Sequence, residues 1–240
     1  MNVCLNIVDY CPLRCVYCFR KTKGVKLAEK ELVKKGVRKV KKDFRAKKIT
    51  ITGGEPLVCP PTYLKEIIKI IKDENLKVSL TTSLYKKVDK GILKMLDAIS
   101  VSVDSVKVKD IIFHRRKSIT LKNLKSLYRK VKIKINMVIT FVNRKSIKES
   151  IKKINTSSIK RIKVFKAIKI NEKDRQKRNF LALSKSYFEK YLKNKVRKIG
   201  FKIRKKIDFL DESLATFLLV VKENTFNFYV SYMGKDIKLI

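Results

Sequence analysis

Residues 3–18 read VCLNIVDYCPLRCVYC. Val3–Val8 is a short apolar run of strand length, and Cys11, Cys15 and Cys18 follow it directly. Thiolates are soft ligands, and several close together suit zinc or an iron–sulfur cluster. Three of them in one short loop leave a further metal position open for a cofactor or substrate. Zinc sites and two-cluster ferredoxins usually carry paired CxxC elements or a fourth cysteine close by, and neither occurs here. The competing readings of the loop are a zinc knuckle and a surface segment with incidental thiols.

The chain continues in the rhythm that this strand and loop begin. Strand candidates are Val3–Val8, Lys48–Thr52, Lys77–Thr81, Ala98–Val103, Lys132–Thr140 and Ile162–Ile168. Amphipathic helices lie between them. One opens at Pro61 with the stripe Leu64, Ile67, Ile68 and Ile71. Another carries Leu121, Leu124, Tyr128 and Val131, and a third follows a capping box of Ser146 and Glu149. Successive βα units predict an α/β fold, a partial (β/α)6 TIM-like barrel, with its chemistry at the C-terminal strand ends. The cysteine loop then lies on that rim. After about residue 170 the rhythm fails. Residues 1–170 read as the barrel core and 171–240 as a small C-terminal extension covering the active site, with a helix begun by Ser186 and Glu189 and strands at Thr216–Val221 and Phe226–Val230.

Composition bounds the function class. Hydrophobic residues make up 45% of 240, enough for a globular core. No apolar run reaches the length of a bilayer span, and Met1 leads straight into a strand-like segment. A cytoplasmic protein is expected, in keeping with thiols that need a reducing compartment. The 61 basic residues against 21 acidic ones give +40. That balance suits a polyanion partner such as nucleic acid, but the lysines are spread along the chain, as in AT-rich coding sequence. No aromatic stacking motif supports nucleic-acid binding as the main activity. Cys4 is expected to be a small buried residue of the first strand. Cys59, before Pro60 and Pro61, has no evident role.

Two further constellations carry chemistry. The second strand ends in Gly53, Gly54, Glu55 and Pro56, where glycines let backbone approach a ligand and a carboxylate can meet an ammonium. Lys134 and Asn136 alternate with Ile133, Ile135 and Met137, and Arg161 and Lys163 with Ile162 and Val164. Alternation puts each polar pair on one face of its strand. Cations pointing into a barrel are costly unless an anion meets them.

CxxxCxxC with an aromatic residue, Tyr17, before its last cysteine resembles the radical S-adenosylmethionine (SAM) superfamily, and GGEP at the next strand end strengthens the likeness. The resemblance implies a 4Fe–4S cluster held by Cys11, Cys15 and Cys18, with SAM on the fourth iron. It also implies SAM contacts from Tyr17, Gly53, Gly54, Glu55, Ser83 and Ser102, the last within VSVDS. Over most of residues 1–170 the segments CPLRCVYCFR, KKITITGGEP, AISVSVDS, KIKINMVI with Asn143, and RIKVF resemble viperin and its prokaryotic and archaeal relatives. That family makes 3′-deoxy-3′,4′-didehydro nucleotides from nucleoside triphosphates such as CTP. A 5′-deoxyadenosyl radical removes the ribose 4′ hydrogen, the 3′ hydroxyl leaves as water, and one-electron reduction gives the alkene. The matching substrate positions are Lys48, Thr52, Arg115, Arg116, Lys134, Asn136, Arg161 and Lys163.

The chain departs from the viperin pattern at Thr81 and Thr82, around Phe113 to Arg116, at Ile162 and at Phe217. The partners implied are a nucleoside triphosphate and a ferredoxin- or flavodoxin-like electron donor, with the chain a monomer. The alternatives are another small radical SAM enzyme, of 7-deazaguanine synthesis, glycyl-radical activation or RNA modification, and a nucleic-acid-binding protein with a structural cluster.

Overall fold

Six parallel strands alternate with helices in the order that the apolar pattern predicts. In the computed structural model these are β1 (Asn2–Asn6), α1 (Lys30–Phe44), β2 (Lys48–Thr52), α2 (Pro61–Asp73), β3 (Lys77–Thr82), α3 (Lys90–Met95), β4 (Ala98–Ser102), α4 (Lys117–Ser126), β5 (Ile133–Ile139), α5 (Ile147–Ile154) and β6 (Ile159–Lys166). The structure describes residues 1–13, 15, 17–18, 24–106, 117–128, 130–154, 157–167, 183–184, 186–192, 194, 207–210, 216–222, 225–232 and 235–238. For 117–119, 191–192 and everything from 207 onward it describes backbone only. Arg115, Arg116 and His114 lie outside the described residues.

Helical connections between neighbouring strands make β1 to β6 parallel, in spatial order 1-2-3-4-5-6. Four C-terminal strands lengthen the sheet at both edges. β7 (Ile207–Leu210) runs parallel to β6, and β8 (Thr216–Lys222) runs parallel to β1. β9 (Thr225–Tyr232) and β10 (Lys235–Lys238) continue antiparallel from β8. Among the described residues the edge strands do not pair with each other, so the sheet is open, as expected of a partial barrel.

One face of the sheet makes the core. Ile49, Ile51, Ile133, Ile135, Met137, Ile139, Ile162 and Val164 are all fully buried. Against them lie Val33, Val37 and Val40 of α1, Leu64, Ile67, Ile68 and Ile71 of α2, and Ile147, Ile151 and Ile154 of α5. Each such side chain contributes about 1.5–3 kcal/mol relative to exposure. Local signals set the helix starts: Pro61 opens α2, and the Asp89 carboxylate accepts the Ile92 N–H at 3.1 Å ahead of α3. Among the described residues no helix is long and apolar enough to cross a membrane.

Before α5, the Ser146 hydroxyl donates to the Asn143 carbonyl at 3.0 Å, and Glu149 pairs with Lys153 at 2.8 Å. Two local expectations change. Among the described residues the C-terminal helix holds a π-helical stretch, Tyr187–Leu192, and it is Ser184 whose hydroxyl accepts the Tyr187 N–H, at 3.2 Å. α4 stops at Ser126, so Tyr128 and Val131 pack on the core from the connection that follows.

Candidate active site

The cysteine loop and the glycine turn are zipped together by backbone at the C-terminal ends of β1 and β2. Gly54 N–H donates to the Val8 carbonyl at 2.6 Å and Glu55 N–H to the Tyr10 carbonyl at 2.9 Å. A Cβ on Gly54 would lie 2.1 Å from the Tyr10 carbonyl oxygen. On Gly53, at φ +150°, it would lie 2.5 Å from the Val8 carbonyl oxygen. Both positions therefore require glycine, because no side chain fits between the two backbones.

Glu55 is 2% exposed, yet its carboxylate is fully met. One oxygen accepts from Leu57 N–H at 3.1 Å and Thr82 Oγ1 at 2.6 Å; the other accepts from Ser83 N–H at 2.7 Å and Ser83 Oγ at 2.6 Å. The structure thus brings Glu55, Thr82 and Ser83 together. Thr82 Oγ1 also accepts the Leu84 N–H at 3.0 Å. Leu84 is fully buried at φ +54°, a costly conformation for a branched residue. It is held there by Asn123 Nδ2 on the Leu84 carbonyl at 3.0 Å and Thr120 Oγ1 on the Ser83 carbonyl at 3.1 Å.

Within the cysteine loop, Cys18 N–H closes a turn on the Cys15 carbonyl at 3.0 Å, and the Cys11 thiol approaches the Leu13 carbonyl at 3.5 Å. The Tyr17 hydroxyl donates to Asp104, just beyond β4. Burial pushes the Cys11 thiol up to about 11, with Glu55 and Cys18 adding to the rise. Burial, Asp104, Cys18 and Cys11 push Cys15 up further. Three thiolates beside two carboxylates are unfavourable in so dry a place unless a cationic centre joins them. This donor set fits an iron–sulfur cluster, which takes one thiolate per iron. Among the described residues no group of three or more His, Cys, Asp or Glu side chains is set to hold a single metal ion.

The face of the sheet opposite the core is polar. Lys48, Thr50 and Thr52 of β2 are half-buried between the fully buried Ile49 and Ile51. Lys134 and Asn136 alternate likewise on β5, and Lys163 on β6. In register, Ser100 faces Lys134 and Lys134 faces Arg161, while Ser102 faces Asn136 and Asn136 faces Lys163. Arg161, nearer the start of β6, is exposed. Thr50 and Ser79 hydroxyls share a hydrogen bond at 2.8 Å. Lys48 is held down at about 8 by burial first, then by the charge of neighbouring Lys134, then by that of Lys163. Cys4 stands on this face, partly exposed and within electrostatic range of Lys48, while Val3 and Leu5 take the core positions. This corrects its reading as a buried core residue. Cys59 is 3% exposed, and burial pushes its thiol up to about 12.

Sequence reasoning missed Thr82 and Asp104. Each is a polar residue at a strand end, inside segments already singled out, but its partner lies far along the chain.

A parallel α/β sheet with a three-cysteine loop and a GGE turn at its C-terminal ends defines a class of protein. The radical SAM superfamily pattern matches residues 5–154, and the chain belongs to that superfamily. Members use a 4Fe–4S cluster and SAM, and so does this chain. A Methanococcus maripaludis protein named "Probable GTP 3′,8-cyclase" is 39% identical over 109 residues, 42% of this chain and 36% of its own length. A Methanocaldococcus jannaschii protein named as a candidate glycyl-radical enzyme activating enzyme is 29% identical over 101 residues, 42% of this chain and 38% of its own. The chain therefore matches little more than a third of each relative. Streptococcus suis SuiB, solved with SAM bound, shares the fold at a TM-score of 0.67 and 19% identity, over 88% of this chain and 50% of that one.

Proposed function

We propose that this radical SAM enzyme acts on a nucleoside triphosphate whose phosphates lie on Lys48, Lys134 and Lys163. The observation that carries the reading is the convergence of these lysines, from three strands, on the polar face of the sheet. Concentrated positive charge in a half-buried place is offset by a concentrated anion, and a triphosphate is one. Arg161 would extend the cationic wall outward, and Asn136 and Thr52 would supply neutral hydrogen bonds. Arg115 and Arg116 belong to the same proposed set.

The arrangement also orients the substrate. Lys48 begins β2 and Thr52 ends it, so the two Cα atoms lie roughly 13 Å apart along the strand. Phosphates at the lysines would sit deep between the strands, leaving the sugar near the cysteine loop. Cys11, Cys15 and Cys18 would hold the cluster, and Gly53, Gly54, Glu55, Ser83, Ser102 and Tyr17 would surround SAM. When bound, the two cofactors supply a 5′-deoxyadenosyl radical able to take hydrogen from an unactivated C–H bond. The chain's own part is to hold the ribose at that rim and keep it dry.

The KIKIN and RIKVF segments, which supply Lys134, Asn136, Arg161 and Lys163, favour viperin-like dehydration to a 3′-deoxy-3′,4′-didehydro nucleotide. A second reading, ring closure within GTP, is favoured by the name of the Methanococcus relative. The test is anaerobic reconstitution followed by incubation with SAM, a reductant such as reduced flavodoxin, and each of the four ribonucleoside triphosphates. Mass spectrometry should find a product lighter by one water from one of them. A ring-closed GTP would establish the second reading. Turnover stimulated only by a peptide, a pterin or tRNA would defeat both.

A further inference from the structure

The loop that carries the three cysteines is pegged at one point that the known motifs leave unassigned. Tyr17 lies inside the Cys15–Cys18 turn, and its hydroxyl donates to Asp104 Oδ2. Asp104 is itself fixed from two sides. Its Oδ1 accepts the Val138 N–H of β5 at 2.9 Å, and its carbonyl accepts Asn143 Nδ2 at 3.2 Å. The same Asn143 amide donates to the Val138 carbonyl at 2.9 Å, while its Oδ1 accepts the Thr140 N–H at 2.8 Å. One residue on, the Ser105 hydroxyl meets Ser146 at 3.0 Å and Ser150 at 3.4 Å, and Val106 N–H donates to Ser150 Oγ at 3.1 Å. Ser105, Asn143, Ser146 and Ser150 are each at most 3% exposed. Buried networks with their members satisfied in this way are rigid.

A turn with two iron ligands must hold both sulfurs at the spacing that the cluster dictates. Ordering its backbone costs about 1–2 kcal/mol per residue. A hydrogen bond to a carboxylate that cannot itself move offsets part of that cost. We propose that Asp104 is the positioning residue of the cluster loop, acting through the Tyr17 hydroxyl to fix the turn that presents Cys15 and Cys18. Tyr17 is then more than an aromatic surface beside the cofactor, since phenylalanine would serve there equally well. The inference rests on the reading of Cys11, Cys15 and Cys18 as the cluster ligands.

The test uses the full chain, reconstituted anaerobically, as wild type, Tyr17→Phe, Asp104→Asn, the double variant and Cys15→Ala. The readouts are iron bound per chain, the rate of iron loss to a ferrous chelator, and the electron paramagnetic resonance spectrum of the reduced cluster with and without SAM. Tyr17→Phe leaves every Asp104 bond to β5 and Asn143 in place, so it is informative even if Asp104→Asn folds poorly. Each single variant should bind full iron but release it about tenfold faster, the equivalent of losing one charge-assisted hydrogen bond. Each should also broaden the SAM-induced spectral change. The double variant should be no worse than Tyr17→Phe alone, because removing the hydroxyl, which also reaches Cys15, already removes the contact through which Asp104 acts. Wild-type release from Tyr17→Phe overturns the proposal, and so does a double variant whose effect is the product of the two. Full iron and an unchanged spectrum in Cys15→Ala would instead overturn the ligand assignment beneath it.

Discussion

The ammonium of Lys134 on β5 is near enough to that of Lys48 on β2 to disfavour its charge, although β3 and β4 stand between the two strands. In a flat sheet three strand spacings and the four-residue offset in register would separate them by about 19 Å. The two side chains meet because the sheet curls towards its polar face. Lys163, one strand further on, adds to the same field. The curl that makes the fold a partial barrel also gathers the cations, so fold and proposed substrate site have one geometric cause.

That crowding sets a pH dependence. Lys48 is held at about 8 against an ordinary 10.5. The unfolded chain therefore binds more protons than the folded chain between those values, and stability should rise as pH rises from about 8 towards 10.5. Below about 8 the penalty of the charged lysine is fully present. Lys48→Met should remove this rise, by an amount kept small because the side chain is half exposed. A triphosphate would restore the charge, so its binding near pH 8.5 should take up a proton. Titration calorimetry in two buffers of different ionisation enthalpy measures this. Binding without proton uptake would contradict the shared site.

Gly54→Ala is the sharpest test of the zipped loops. Its Cβ would enter the Tyr10 carbonyl, which is backbone and has nowhere to retreat. The expected cost is about 3 kcal/mol, at the upper end for overpacking, with iron content falling as the cysteine loop is displaced. Denaturant unfolding with iron analysis checks both. Wild-type stability with full iron would mean that the two loops are not in contact.

Thr82 supplies a donor to Glu55 and an acceptor to Leu84 N–H. Thr82→Val keeps the shape but leaves a buried carboxylate oxygen with one donor fewer and a backbone N–H unpaired, at a cost of about 1–3 kcal/mol. Thr82→Ser should recover most of it. SAM affinity of the reconstituted protein should weaken in the valine variant and return in the serine variant. If valine and serine behave alike, the hydroxyl contributes nothing to holding Glu55.

Much of this architecture is legible in the residues because it rests on short-range periodicity. Strict alternation in KIKINMVI predicts which side of β5 holds Lys134 and Asn136, and the spacing of Leu64, Ile67, Ile68 and Ile71 predicts the buried side of α2. What escapes is long-range. Thr82 meets Glu55 across two strand ends, and Asp104 meets Tyr17 across 87 positions. No local pattern marks such pairs. Cys4 is misread for a different reason: an apolar-looking residue in a strand can still stand on its polar face. The return of β8 to the side of β1 is likewise invisible to a pattern that only says "strand".

In the proposed function, triphosphate charge, read by lysines from three strands, brings substrate to the SAM radical. The most direct measurement is the rate of 5′-deoxyadenosine formation by the reconstituted enzyme with a nucleoside triphosphate, with the same nucleoside lacking phosphates, and with no addition. It is made in wild type and in a Lys134→Met, Lys163→Met variant whose reduced-cluster spectrum is unchanged. Stimulation by the triphosphate alone, lost in the variant, is the expected result. Equal stimulation by the bare nucleoside, or full stimulation in the variant, would contradict it.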